Sequence, residues 1–117
     1  MALKTFAKVE TRFQALHRWE DAPEDVEFLR DPHRHEFHVE VQIQQFHNDR
    51  DVEYIMAKRA IDTYIRNTFD GRDLGEKSCE MMAENILSLC KNKWGEDREY
   101  GIKVTEDGEN GAIVMYE

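Results

Sequence analysis

From Glu36 to Ile43 polar and apolar residues alternate without a break, Glu36, His38, Glu40 and Gln42 against Phe37, Val39, Val41 and Ile43. A period of two is the mark of a half-buried strand, and it predicts one over residues 33–46. Upstream, Leu3, Phe6, Val9, Phe13 and Leu16 alternate less regularly. They predict an extended segment over 3–17 that is bent or bulged. Residues 18–32 form a polar connection holding both prolines, in which Pro23-Glu24-Asp25-Val26 opens a short helical turn. Beyond the second strand, Asn48-Asp49-Arg50-Asp51 has turn chemistry and supplies an N-cap for a helix running to about Asn67. The stripe of that helix is Ile55, Ala57, Ala60, Ile61, Tyr64 and Ile65.

After a loop over 69–75, Ser78 caps a second helix that carries Met81, Met82, Ile86, Leu89 and Cys90 inward and ends near Trp94-Gly95. Strands over 100–105 and 112–116 flank Asp107-Gly108-Glu109-Asn110-Gly111, a hairpin turn rich in residues that tolerate positive φ. The order β-β-α-α-β-β predicts an α+β domain: a four-stranded antiparallel sheet with two helices on one face. The other sheet face is expected to carry apolar residues and to be covered by another subunit.

The 117 residues fit a single domain spanning 1–117. Hydrophobic residues make up 40% of the chain, the composition of a folded protein. A net charge of −9 argues against nucleic-acid and anionic-membrane partners. No apolar run reaches the roughly 20 residues of a membrane span, and the N-terminus lacks a signal-peptide core, so a cytoplasmic location is expected. Cys79 and Cys90 lack metal-finger spacing and read as buried thiols on a helix.

Candidate chemistry lies at one end of the second strand. Period two puts His33 and His35 on the same face as Phe37, Val39 and Val41. Side-by-side imidazoles are suited to a borderline-soft metal such as zinc, and His17 is the candidate third ligand. His-x-His by itself is a weak signal and more often marks two solvated strand-end histidines.

The chain resembles the 6-pyruvoyl-tetrahydropterin synthases and 6-carboxy-tetrahydropterin synthases, which share the tunnelling fold. Phe13-Gln14-Ala15-Leu16-His17-Arg18 is similar to their F-x-A-A-H-x, and His33-Arg34-His35-Glu36-Phe37 to H-G-H-[NS]-[YF]. Residues 52–58 resemble [VI]-x-D-F-x-x-L-K in shifted form, Lys77-Ser78-Cys79-Glu80 stands at P-T-S-E, and Val104-Thr105-Glu106 at V-x-E. The resemblance implies zinc on His17, His33 and His35, with an open position for a substrate oxygen. It implies that Glu106 anchors a pterin or purine-like 2-amino-4-oxo ring through paired hydrogen bonds. It also implies a homo-oligomer, a hexamer or another ring, with pockets between subunits, and a lyase of tetrahydropterin or queuosine biosynthesis.

The chain departs from that pattern where protons move. Leu29 stands at the family's shuttling cysteine, one extra residue separates His17 from His33, and Asp70-Gly71 replaces an Asp-His pair. Leucine and glycine cannot serve as acid or base. Asp70, Asp31 and Glu36 are the available replacement carboxylates, and Arg18, Arg30 and Arg72 are cations placed to meet a triphosphate. The expectation is therefore a zinc-binding relative with altered or lost lyase activity. The alternative is a non-catalytic oligomer that binds or sequesters a ligand and keeps the zinc site.

Overall fold

The structure, a computed structural model, describes residues 3–117. Strand β1 (Thr5–His17) leads through a 3₁₀ segment (Glu24–Arg30) into β2 (His33–Gln45). Helices α1 (Tyr54–Thr68) and α2 (Cys79–Trp94) follow, then β3 (Tyr100–Glu106) and β4 (Asn110–Tyr116). The strands form one antiparallel sheet in the order β1-β2-β3-β4, the expected α+β layout. No helix among the described residues is long and apolar enough to cross a membrane.

The core lies between the helices and one sheet face. Phe37, Val39, Val41 and Ile43 of β2 are buried there with Tyr100, Ile102 and Val104 of β3. Above them pack Ala57, Ile61 and Ile65 of α1 and Met82, Ala83, Ile86 and Cys90 of α2. Strand β1 is continuous, pairing with β2 from Thr5–Gln45 to His17–His33 with no bulge. Its inward face is Ala7, Val9, Phe13, Ala15 and His17, while Phe6 and Leu16 point to the opposite face. The alternation looked imperfect because small alanines fill the inward positions.

The opposite sheet face is polar rather than apolar along β1 and β2. Lys8, Glu10 and Arg12 face Glu36, His38, Glu40 and Gln42, with contacts such as Lys8–Glu10 at 2.6 Å and His38–Glu36 at 2.9 Å. Exposed apolar side chains on that face gather on β4, at Ile113 and Met115. Period two assigns each of these residues to its face.

The first helix is capped by Glu53, not by the Asn48–Asp51 segment. The Glu53 carboxylate accepts the N–H groups of Ile55 (2.9 Å) and Met56 (3.0 Å). Asp51 is committed elsewhere: its Oδ2 accepts from the Arg98 guanidinium and from the Phe46 N–H, each at 2.7 Å. These two donors hold the Asp51 carboxyl at about 2, below the usual aspartate range. The stability linked to the lowered pKa is present in full above the ordinary aspartate pKa and is lost as pH falls through about 2. Urea unfolding at stepped pH is expected to show the wild type losing more stability between about pH 4 and pH 2 than Asp51→Asn does. Parallel acid limbs for the two proteins would remove this role.

Candidate metal centre

The register of the first hairpin builds the site. His17 ends β1 opposite His33, and Ala15 pairs with His35, so three imidazoles rise from the inward face at one end of the sheet. The adjacent loop holds the end of β1 in place. Leu16 N–H donates to the Arg72 carbonyl (3.0 Å), Leu74 N–H to the Leu16 carbonyl (2.7 Å) and Arg18 N–H to the Gly75 carbonyl (2.8 Å). Beneath the rings Phe37 is fully buried, edge-on to His17 at 5.1 Å and His35 at 5.7 Å between ring centres. The imidazoles lie 4.6–5.5 Å apart and nearly perpendicular to one another.

Each imidazole is oriented by an oxygen on its Nδ1. His17 meets the Lys77 carbonyl at 2.9 Å, His33 the Asp31 carbonyl at 2.9 Å, and His35 the Asp107 carboxylate at 2.8 Å. An Nδ1–H that donates to such an oxygen leaves the lone pair on Nε2. All three Nε2 atoms are buried and lack a hydrogen-bond partner among the described residues. Buried polar atoms are rarely left so, and three that converge are suited to a shared cation. Glu106 at the end of β3 adds a carboxylate, and the four residues form a group whose candidate ligand atoms all lie within 4.8 Å of one another, able to hold a metal ion.

Asp107 owes its place to the hairpin turn. It and Gly108 take φ of 57° and 75°, the positive pair of a type I′ turn. Its N–H donates to the Glu36 carbonyl (2.7 Å), and its Oδ1 accepts the Glu36 N–H (3.1 Å). The hydrogen bonds from His35 and from that backbone N–H hold its carboxyl below the usual carboxylate range.

The cluster opens onto a cleft of about 480 Å³. Trp19, Leu29, Cys79 and Met81 supply apolar walls, and Arg18, Glu76, Lys77 and Glu80 supply charge. Leu29 thus faces the cleft, as the resemblance requires of its position. Cys79 faces it too, but burial, with the Glu106 and Glu80 carboxylates adding to it, pushes the thiol up to about 12. It carries no thiolate near neutral pH.

The other candidates lie elsewhere. Asp70 is exposed and accepts the Gln14 N–H (3.3 Å), three residues before His17, about 10 Å back along the strand. Asp31 contributes its backbone carbonyl to His33, while its side chain is not among the cleft's lining residues. Glu36 lies on the opposite face, with His38 and Arg12. Arg30 donates to the Ala22 carbonyl and Arg72 to the Asn67 carbonyl, leaving Arg18 as the arginine at the cleft. Sequence reasoning missed Asp107, Glu80 and the two carbonyls. Asp107 carried a signal only as a turn residue, and a carbonyl acceptor carries none.

Fold and cluster together define an α+β protein with a three-histidine, one-glutamate group able to hold a metal ion, set beside an apolar-walled cleft. Neither known protein families nor curated proteins give a match to this chain.

Proposed function

We propose that the chain is a zinc-binding relative of the 6-pyruvoyl- and 6-carboxy-tetrahydropterin synthases, that its cleft takes a pterin or purine-like ring, and that the parent lyase reaction is altered or lost. The observation that carries this reading is the convergence of three oriented, unpartnered Nε2 atoms beside the cleft, which His17 and His33 line directly. Nitrogen-rich ligation of this kind suits zinc. Bound there, zinc would supply Lewis acidity toward an oxygen on the ligand's side chain.

The chain's own residues do the rest. Trp19, Leu29 and Met81 offer apolar surface to a flat ring. The Glu106 carboxylate accepts from its 2-amino-4-oxo edge. The family's proton-transfer cysteine and histidine are what the cleft lacks. Leu29 holds no proton, the Cys79 thiol stays protonated, and Asp70 and Asp31 keep their carboxylates outside the lining. Assembly into a homo-oligomeric ring would cover the free β4 edge with its exposed Ile113 and Met115.

Two measurements test the reading. Dihydroneopterin triphosphate is expected to turn over about 10²–10⁴-fold more slowly than with an authentic synthase, the contribution of acid–base groups. Leu29→Cys, which puts a thiol on the cleft lining, is expected to recover part of that rate. Turnover by the unaltered chain at a synthase's rate would overturn the loss. In calorimetry, dihydroneopterin is expected to bind about 10–100-fold more tightly than a 2,4-dioxo pteridine, which puts an acceptor where the amino donor belongs. Equal binding would remove the ring assignment.

A further inference from the structure

The Glu106 carboxylate sits where an anchoring group alone has no reason to be. Its Oε2 is 3.0 Å from His17 Nε2, and its Oε1 is 3.6 Å from His35 Nε2. Around a tetrahedral zinc with bonds of 2.0–2.2 Å, neighbouring ligand atoms stand about 3.3 Å apart. The two observed separations bracket that edge.

The contact is at ion-pair distance but lacks hydrogen-bond geometry. His17 Nε2 has no partner in hydrogen-bond geometry, although the carboxylate is within 3.0 Å. The Nδ1 of His17 faces a carbonyl and that of His35 a carboxylate, so the tautomer with its proton on Nδ1 satisfies both oxygens and leaves Nε2 free for a metal. Each Nε2 then carries a lone pair toward Glu106. Lone pairs and a carboxylate packed this closely repel one another unless a cation lies among them.

We infer that Glu106 is the fourth metal ligand in the ligand-free protein, so that the metal sits in a closed shell of His17, His33, His35 and Glu106. A site with four protein ligands leaves no position for a substrate oxygen, unlike an open three-histidine site. This rests on the cluster being a metal site, and it deepens the ring-binding reading. The same carboxylate serves either the metal or the ring, so a ring that captures Glu106 opens the metal to its own side chain. Coupling of this sort is reciprocal: whatever frees Glu106 favours coordination of the ligand.

Cobalt(II) in place of zinc gives a visible spectrum that responds when an added anion enters the shell. Wild-type cobalt protein titrated with azide is expected to show no spectral change, whereas Glu106→Gln is expected to bind azide and shift its bands. Zinc affinity of Glu106→Gln is expected to fall by roughly 100-fold or more, beyond the 10–100-fold typical of losing an outer partner. Asp107→Asn, which touches His35 but not the metal, is expected to weaken zinc within that smaller range and still exclude azide. Azide binding by the wild type equal to that of Glu106→Gln would overturn the closed shell while leaving the three-histidine site standing. Absence of metal binding altogether would overturn both.

Discussion

Chelating the metal from the wild-type chain is expected to lower its Tm by roughly 15 °C, and substituting any one of His17, His33 or His35 by alanine is expected to abolish that chelator response. A ligand that binds only the folded state stabilises it by about 4 kcal/mol when its free concentration is 1,000 times its Kd. For a domain of this size each kcal/mol moves Tm by about 4 °C. The effect is large because the apo site is unfavourable as well as empty of its bond energy: three buried Nε2 atoms lack partners and a carboxylate faces two of them. Scanning calorimetry with and without chelator, alongside elemental analysis, decides it. About one zinc per chain is expected in the wild type. Full metal content in His35→Ala would sink the assignment.

Phe37→Ala is expected to cost about 3–5 kcal/mol in urea unfolding, the range for deleting a fully buried aromatic side chain. Phe37 is inaccessible to solvent and stacks on Phe13 at 5.2 Å, which in turn stacks on Phe69 at 5.4 Å. It also sets the seat of two imidazoles from below. Its loss is therefore expected to weaken zinc binding as well, by about tenfold, in the manner of an outer-shell change. Unfolding measured on chelated protein isolates the core term, and metal titration isolates the other. A variant that loses stability but binds zinc unchanged would show that the rings are positioned by their Nδ1 partners alone.

The parts of this protein that could be read from its sequence are those where a side chain's type and its period coincide. The unbroken alternation of β2 placed Phe37, Val39 and Val41 inward and put His33 and His35 beside them. The stripe of α2 was legible as well, although Met81 lines the cleft instead of the core, since one helical step separates the two faces. On β1 the period was hidden, because Ala7 and Ala15 bury well without being strongly apolar and Phe6 and Leu16 point the other way. The cap of α1 was misplaced by two residues because Asp51, a good capping residue, is drawn away by Arg98. The orienting oxygens of Lys77 and Asp31 were out of reach, for a backbone carbonyl is the same in every residue and only the path of the loop aims it.

The three imidazoles come from strands that are neighbours in sequence, but what aims two of them does not. His17 waits for a carbonyl 60 residues further on, and His35 for a carboxylate 72 residues away in the β3–β4 turn. Contacts of such high sequence separation form late, because the loop they close must be ordered first. The β1–β2 hairpin alone orients only His33, through the Asp31 carbonyl, and leaves His17 and His35 without their Nδ1 partners. The site acquires its full grip only when the crossover helices have docked and the turn at Asp107 has closed over Glu36. Metal capture is thus expected late in folding, with tight binding only once the distant segments have found one another.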